Sequence, residues 1–262
     1  MTLDPEERER YARHLVIPEL GEEGQAKLAA ASVLVVGTGG LGSPVLLYLA
    51  AAGVGRLGIV DGDVVELSNL QRQVIHASTD LGGRKVESAA AKLRALNPGV
   101  ALDLHDLTFT GEAAAALVAD YDVIVSAVDN FPTRYLLNDL CVLTRKTLVE
   151  GAILRFIGLA MTIDGGESAC YRCVFPEMPA PGTVPTPAEA GVFGPVAGTI
   201  GCLQACEVIK VVAGAGVPLY DRMLQFDALA MSFQEVALSP EPACAVCGER
   251  PTITSLTDAG RV

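Results

Sequence analysis

Positive charge is scarce in this sequence. It has 19 lysines and arginines against 31 aspartates and glutamates, which gives a net charge of −12 and a pI near 4.7. Surfaces that bind duplex nucleic acid or anionic membranes are rich in basic side chains. We therefore expect neither nucleic acid nor a membrane as a partner. An anionic ligand would need a local cluster of arginine and lysine that works against the global field.

Histidine is scarce as well. The three histidines, His14, His76 and His105, show no metal-ligand spacing, so we assign none of them to a metal site. The first residues, MTLDPEERERYARH, contain no apolar stretch of the kind that a secretory signal needs. We therefore predict no signal peptide and a cytoplasmic location.

One long segment has no charge at all. Residues 28–55 are long enough to cross a bilayer. However, GTGGLGSP lies in the middle of this segment and divides it into a short strand and a short helix, each too short to span a membrane. We therefore predict a buried strand–turn–helix.

Strands alternate with helices as far as residue 150, which predicts an α/β fold. The expected arrangement is a Rossmann-like, mostly parallel sheet with helices on both faces, followed by a mixed-strand C-terminal part. The helices are predicted at residues 4–14, 22–30, 42–52, 83–96, 111–119, 131–143 and 195–213. The strands are predicted at residues 32–36, 57–60, 100–105, 123–127, 147–150, 156–163, 222–227 and 231–237.

We predict a single domain over residues 1–250. Its parts are N-terminal helices at 1–30, a nucleotide-binding half at 31–150 and a second half at 151–250. The segment PEMPAPGTVPTPAEAG is rich in proline and glycine and is expected to be mobile. Residues 251–262 are expected to form a loose tail.

Four of the seven cysteines form two Cys-x-x-Cys pairs, Cys170/Cys173 and Cys244/Cys247. Four thiolates with this spacing are typical of a structural zinc ion with no open coordination position. A redox pair or disulfides remain the alternative. The remaining cysteines are predicted to be small buried apolar residues, and they are Cys141, Cys202 and Cys206.

The stretch VVGTGGLGS carries a G-x-G-x-x-G spacing at Gly37, Gly39 and Gly42. Small residues between a strand and a helix allow backbone N–H groups to approach phosphate oxygens. Asp61 ends the next strand and can accept hydrogen bonds from ribose hydroxyls. These features alone favour an NAD-dependent dehydrogenase, and a tight turn with no ligand is the alternative.

Three further side chains favour nucleotidyl transfer over hydride transfer. Arg72 lies in SNLQRQ, Lys85 opens the next helix, and Asp129 follows a buried strand. Two cations would stabilise charge on phosphorus, and a carboxylate would hold Mg²⁺. A dehydrogenase has no use for this combination.

Seven motifs occur in one order: GTGGLGS, IVDGDVVELSNLQRQ, GRKVESA, VDN with Arg134, CYRC, AEAGV and CAVCG. Together they resemble the ThiF/MoeB family, relatives of the ubiquitin-activating enzymes, from Tyr11 to Gly248. The SNLQRQ motif is specific, whereas the glycine loop alone is not. The resemblance implies ATP-dependent adenylation of the C-terminal glycine of a small ubiquitin-like sulfur carrier that ends in Gly-Gly. It makes residues 151–250 the carrier-binding and zinc half.

The resemblance also implies a role for individual residues. Gly40 and its neighbours would face the phosphates and Asp61 the ribose, while Asp129 would bind Mg²⁺. Arg13 matches an arginine that the family donates across a dimer interface, although without the family we would regard it as a solvated charge. Cationic and amide side chains around the triphosphate would be Asn69, Arg72 and Lys85. The predicted nucleotide site also includes Asp63, Ser68, Leu70, Gln71, Gln73 and Asn130. Arg134 and Asn138 share a helix face and either order the site or form a solvated surface.

The sequence departs from the family at one place. Some members carry a cysteine just before E-A-G-V, whereas Pro187 occupies that position here. We therefore expect the chemistry to stop at the acyl-adenylate, with sulfur delivered by a separate sulfurtransferase. The carrier could serve molybdopterin, thiamine or tRNA-thiolation chemistry. The two other hypotheses are an NAD-dependent oxidoreductase and a non-catalytic scaffold for a ubiquitin-like partner.

Overall fold

The computed structural model describes residues 3–180 and 182–260. They build one eight-stranded sheet with the strand order β3-β2-β1-β4-β5-β6-β7-β8. The first five strands in this order are parallel, and β6, β7 and β8 continue the sheet in antiparallel fashion. The strands are β1 (Ser32–Val36), β2 (Arg56–Val60), β3 (Ala101–His105), β4 (Val123–Ser126), β5 (Thr147–Leu154), β6 (Ile157–Ile163), β7 (Arg222–Asp227) and β8 (Ser232–Ala237). The predicted fold class is confirmed.

Helices cover both faces of the sheet. They are α1 (Pro5–Arg10), α2 (Ala12–Leu15), α3 (Gly21–Ala30), α4 (Gly42–Ala52), α5 (Lys85–Leu96), α6 (Gly111–Asp120), α7 (Phe131–Thr144), α8 (Tyr171–Val174), α9 (Pro187–Ala190) and α10 (Gly194–Ala213). One apolar core joins α3, α4, α5 and α10 to the sheet, and a second joins α6, α7, the cysteine pairs and the chain end to the other face.

The uncharged segment at residues 28–55 is explained by this layering. Strand β1 inside it is buried except for its first residue, and most of helix α4 is buried, whereas Tyr48 and Ala51 are exposed. Helix α10 is long and apolar enough by length and composition to cross a membrane, but half of its apolar window is buried inside the domain. It packs against α4, β5 and β6, so its apolar character is that of a core helix.

Two predictions about the chain ends are wrong. The helix expected at residues 4–14 is interrupted at Tyr11, which lies between α1 and α2. Tyr11 is buried because its hydroxyl accepts a hydrogen bond from Asn97 Nδ2 at 2.9 Å. The expected loose tail instead packs on the domain over residues 251–260: Ile253 is buried, and the Gly260 N–H donates to Asp139 Oδ2 at 2.8 Å. Residues 261 and 262 lie outside the described part.

Candidate nucleotide site and cysteine cluster

The glycine loop lies where the strand order reverses. Strands β2 and β3 lie on one side of β1, whereas β4 and β5 lie on the other. In open parallel sheets, ligands bind at the carboxyl ends of strands at this reversal. The loop after β1 and the Asp129 turn after β4 are neighbours there, since Ala127 N donates to Val36 O at 2.9 Å.

Two of the glycines are required by the loop itself. Gly37 has φ +99°, and a Cβ on it would lie 2.5 Å from Ala127 O. A Cβ on Gly42 would lie 1.9 Å from Gly37 O. Gly39 and Gly40 instead face the SNLQRQ segment: the nearest atom to a Cβ on Gly39 is Gln73 Nε2 at 3.4 Å. The loop therefore turns tightly between β1 and α4, the arrangement that lets backbone N–H groups at a helix start approach phosphate.

Asp61 ties the glycine loop to the end of β2. Its Oδ2 accepts hydrogen bonds from Thr38 N at 2.9 Å and Thr38 Oγ1 at 2.8 Å, and its Oδ1 accepts from Asp63 N at 3.0 Å. Thr38, which is completely buried, was not among the predicted site residues. Its hydroxyl between the first two glycines is the only sequence signal that would have indicated it. Asp61 therefore orders the glycine loop through Thr38.

Lys85 is the cation held nearest to this carboxylate. Its Nζ lies 2.7 Å from Asp63 Oδ2 and 4.0 Å from Asp61 Oδ1, and only 8% of its side chain is exposed. Helix α5 begins at Lys85, one residue after the extended Arg84, so the ammonium group is fixed at the carboxyl edge of β2. The predicted grouping of Asp61, Asp63 and Lys85 is present in the structure.

The SNLQRQ segment, residues 68–73, is ordered by hydrogen bonds and lies beside the glycine loop. Asn69 is buried and its Oδ1 accepts from Glu66 N at 3.2 Å, whereas Arg72 Nη1 donates to Ser68 O at 3.0 Å. A Cβ on Gly40 would lie 3.5 Å from Arg72 Cγ, so Arg72 lies directly against the glycine loop. The aliphatic stem of Arg72 lies beside the loop that is predicted to hold phosphate, while its guanidinium donates to Ser68 O.

Other predicted members of the site lie further from the glycine loop or have a second role. Gln71 is exposed and its Nε2 donates to Val192 O at 3.5 Å, on the approach to α10. Leu70 is half-buried and Ser68 is exposed. Asn130 caps helix α7, because its Oδ1 accepts from Thr133 N at 3.0 Å. Asp129, one residue earlier, is exposed and lies three residues after the end of β4.

The helix that carries Arg13 lies at the end of α4 opposite the glycine loop. Helix α2 is held by His14, whose Nδ1 lies 2.9 Å from Gln25 Oε1, and Gln25 Nε2 donates to Ala52 O at 2.8 Å. Ala52 is the last residue of α4, whereas the glycine loop precedes the first. At about 1.5 Å per residue the two ends of α4 are about 15 Å apart.

His76, to which no role was assigned from the sequence, is buried. Its Nδ1 lies 2.8 Å from Ser88 Oγ, which donates to Asp80 Oδ2 at 2.8 Å. Desolvation, with the nearby Lys85 charge as a second cause, lowers the pKa of His76 below its ordinary value. The neutral imidazole is therefore one of the groups that hold the loop at residues 64–82 in place.

Arg134 and Asn138 are buried, so the interpretation as a solvated surface is wrong. Arg134 Nη1 lies 2.6 Å from Glu150 Oε1 on β5, and Arg134 Nη2 donates to Val128 O at 3.0 Å. Burial raises the pKa of Glu150 to about 7, and the Arg134 charge opposes that rise. The Arg134–Glu150 contact could not be predicted from the sequence because it depends on the pairing of β4 with β5.

The two Cys-x-x-Cys pairs form one cluster. The Sγ atoms of all four cysteines lie within 4.8 Å of one another, with Cys170–Cys244 at 3.6 Å, Cys173–Cys247 at 3.4 Å and Cys170–Cys173 at 3.8 Å. Tetrahedral zinc with Zn–S bonds of about 2.3 Å requires S–S separations of about 3.8 Å. The donor set and spacing fit zinc, whereas a disulfide would need about 2.05 Å between two sulfurs.

The other three cysteines differ from one another. Cys141 is buried in the core, as predicted, and burial raises the pKa of its thiol. Cys202 is half-buried. The prediction of burial is wrong for Cys206, which is exposed because it lies on the outward face of α10.

With this geometry, the comparisons define the class of the protein. The model of the ThiF family matches residues 11–246, and the chain belongs to that family. E. coli MccB has the same fold: its crystal structure with MccA-N7isoASN superposes with a TM-score of 0.81 at 24% identity, covering 92% of this chain and 75% of that one.

Curated relatives are considerably more similar. The chain is 48% identical to the sulfur carrier protein adenylyltransferase of Thermus thermophilus, covering 97% of this chain and 95% of that protein. It is 50% identical to the SAMP-activating enzyme E1 of Haloferax volcanii, over 95% of this chain and 92% of that protein. It is 52% identical to the adenylyltransferase and sulfurtransferase MOCS3 of Sus scrofa, but spans only 56% of that protein's length.

Proposed function

We propose that this chain is an adenylyltransferase that uses ATP to activate the C-terminal glycine of a small ubiquitin-like sulfur carrier protein. Relatives that are 48% and 50% identical over nearly their whole length are named a sulfur carrier protein adenylyltransferase and a SAMP-activating enzyme. The site residues described above support the same chemistry.

One observation carries this proposal. The glycine loop at the reversal of strand order has Arg72 against Gly40, and Lys85 within 4.0 Å of the Asp61 carboxylate that bonds the loop. Backbone N–H groups at a helix start and two fixed cations are what a triphosphate needs. A dinucleotide used for hydride transfer would leave Lys85 and Asp129 without a role.

The chemistry requires alignment and positive charge. The carrier's terminal carboxylate is already ionised at neutral pH, so no general base is needed. One of its oxygens forms a bond to the α-phosphorus as the bond to the β,γ-pyrophosphate breaks, giving an acyl-adenylate and pyrophosphate. Arg72 and Lys85 would stabilise the charge on the phosphates. The terminal sulfur of a persulfide on a separate sulfurtransferase can then form a bond to the acyl carbon as the bond to AMP breaks, which releases AMP.

Asp129 would hold the Mg²⁺ ion of ATP. It is an exposed carboxylate at the carboxyl end of β4, and oxygen ligands of this kind are what Mg²⁺ prefers. When bound, the ion would neutralise charge on the leaving pyrophosphate. We also propose that the four-cysteine cluster holds a structural zinc ion. Metal analysis of the purified protein should find close to one zinc per chain, and a metal-free cluster with the native fold would contradict this assignment.

We further propose that the enzyme works as a homodimer in which Arg13 completes the partner's site. Arg13 is exposed on α2, and the apolar side chains of Val16 and Ile17 beside it are 73% and 42% exposed. Leu67 and Val74, which flank Arg72, are 72% and 65% exposed. Two-fold symmetry would allow each apolar surface to cover the other.

ATP–pyrophosphate exchange tests the function. We expect exchange to depend on a carrier that ends in Gly-Gly and to be lost when its last glycine is deleted. Nicotinamide binding with no exchange would support the oxidoreductase instead. Carrier binding without ATP turnover would support a scaffold. A carrier isolated by pull-down with the chain as bait would identify the pathway.

A further inference from the structure

One face of helix α7 holds the Cys170–Cys173 turn. Asn138 Oδ1 accepts from Tyr171 N at 2.8 Å, and Asn138 Nδ2 lies 3.8 Å from Cys170 Sγ. Asp139 is completely buried and pairs with Arg172 through two contacts of 2.7 and 2.9 Å. The first cysteine pair is therefore fixed to α7 by hydrogen bonds and a buried ion pair.

Helix α7 also contacts the candidate nucleotide site, through Arg134. Its Arg134 guanidinium lies over the Tyr171 ring, with Cζ 5.7 Å from the ring centroid. The same group donates from Nη2 to Val128 O at 3.0 Å and lies 2.6 Å from Glu150 Oε1 through Nη1. A single buried side chain thus contacts the cysteine turn, strand β5 and the backbone that immediately precedes Asp129.

Because Asp129 is exposed, its position depends on the backbone that Arg134 contacts. An exposed carboxylate is positioned mainly by its backbone, and the carbonyl one residue before it accepts the Arg134 hydrogen bond. Only 6% of the Arg134 side chain is exposed, and Glu150 on the other side is 3% exposed. The buried ion pair with Glu150 holds the guanidinium in place by charge attraction, and the charge-assisted hydrogen bond from Arg134 Nη2 to Val128 O fixes the turn in one arrangement.

We propose that Arg134 is a positioning residue that couples the cysteine cluster to Asp129, so that divalent-cation binding at the nucleotide site depends on the integrity of the cluster. This inference rests on the proposed function, which makes Asp129 the magnesium ligand. Arg134 acts through the Val128–Asp129 backbone and touches neither the nucleotide nor the metal. Residues that orient metal ligands typically change metal affinity by about 10- to 100-fold when they are replaced.

The test is Mn²⁺ binding, measured by electron paramagnetic resonance with a non-hydrolysable ATP analogue and the zinc-loaded protein. We expect Arg134→Met to weaken Mn²⁺ binding at least about tenfold while close to one zinc per chain is retained. Removing zinc from the wild-type chain with a chelator should weaken Mn²⁺ binding in the same direction. Wild-type Mn²⁺ affinity in zinc-loaded Arg134→Met would overturn the proposal.

Arg172→Met is the matched control. It also removes a buried arginine–carboxylate pair at the cysteine turn, but that pair lies on Asp139, ten residues beyond Asp129. We expect Arg172→Met to lower the melting temperature. In the fraction that stays folded with zinc bound, the Arg134 hydrogen bond to Val128 O is retained, so the Mn²⁺ affinity should stay close to wild type, well short of the roughly tenfold loss expected when an orienting residue is replaced. Equal losses of Mn²⁺ affinity in both arginine variants would overturn the coupling.

A double variant separates positioning from stability. Arg134→Met alone leaves Glu150 buried without its counter-charge, whereas Arg134→Met with Glu150→Met replaces the pair by apolar side chains, which proteins often tolerate. The double variant should regain stability but keep the weakened Mn²⁺ binding. Recovery of both would show that Arg134 acts only on folding. A wild-type chain that binds Mn²⁺ and nucleotide but shows no carrier-dependent exchange would remove the proposed function and leave this coupling intact.

Discussion

At the scale of single residues, the site contains several charges that are unusually well buried. Lys85 has only 8% of its side chain exposed and is balanced by Asp61 and Asp63. A cation in such a position keeps a fixed direction and strengthens its interaction with phosphate, because little water screens it. Two predictions follow from buried groups of this kind.

Replacing Lys85 by alanine should reduce carrier-dependent exchange about 100- to 1000-fold, which is the usual loss when one fixed charge-stabilising donor is removed. Initial rates at saturating ATP and carrier measure this. Lys92→Ala is the matched control on the same helix, since Lys92 pairs with Asp80 away from the glycine loop. A similar loss in both variants would mean that helix α5, and not the Lys85 charge, is responsible.

His76 should make folding sensitive to acid. Its pKa is lowered in the folded state, so below its ordinary value of 6.5 the unfolded chain binds a proton that the folded chain does not. The free energy of unfolding should therefore fall as the pH drops below about 6.5. Lys85, Lys92, Asp61 and Asp80 are the charged groups around the ring.

Urea unfolding of wild type and His76→Gln at several pH values between 5 and 8 measures this effect, on a range chosen from the roughly 6.5 reference pKa of histidine. The variant should show the shallower decline on the acid side. Identical slopes for the two proteins would exclude His76 as the source.

At the scale of elements, local patterns could be predicted from the sequence and pairings between distant segments could not. The glycine loop, the strand ends and both cysteine pairs follow from short stretches of chain. The Arg134–Glu150 pair requires that Ser126 on β4 be aligned with Glu150 on β5, which no local pattern specifies. Thr38, His76 and the packing of residues 251–260 were missed for the same reason.

The strand–loop–helix unit gives a sharp test. Gly42→Ala would place a Cβ 1.9 Å from Gly37 O, so the loop must move. We expect the free energy of unfolding to fall by about 1–3 kcal/mol and the affinity for an ATP analogue to fall with it. Calorimetric titration and urea unfolding measure the two effects.

Gly198→Ala is the control for that change. Gly198 lies inside helix α10, and no neighbouring atom lies within 4 Å of a Cβ added there. Alanine in a helix interior should raise the free energy of unfolding by roughly 0.5–1 kcal/mol. Unchanged nucleotide affinity in Gly42→Ala would show that the tight loop is not part of the nucleotide site.

At the scale of the whole molecule, the N-terminal helices and the glycine loop lie at opposite ends of α4. Arg13 is fixed at one end through His14 and Gln25, and the glycine loop lies at the other. If Arg13 takes part in catalysis, it must do so in a second copy of the chain. The proposed homodimer can therefore be tested without a structure of the complex.

Mixing two inactive variants should restore activity. In a mixed dimer of Arg13→Ala and Lys85→Ala, the site that keeps Lys85 receives the intact Arg13 of its partner. Random exchange of subunits should recover about a quarter of the wild-type exchange rate, because half the dimers are mixed and each has one complete site. A mixture that stays as inactive as its components, after subunit exchange is verified by differently tagged chains, would place Arg13 outside the site.

In the proposed homodimer, the position of α2 at the end of α4 opposite the glycine loop would have a physiological consequence. An isolated chain whose Arg13 cannot complete its own site would be inactive, however well it folds and binds nucleotide. The rate of carrier adenylation would then rise more steeply than in proportion to protein concentration while most chains are monomers. It would become proportional to concentration once most chains are paired. Supply of activated carrier would thus have a built-in threshold set by expression level alone, without any small-molecule effector.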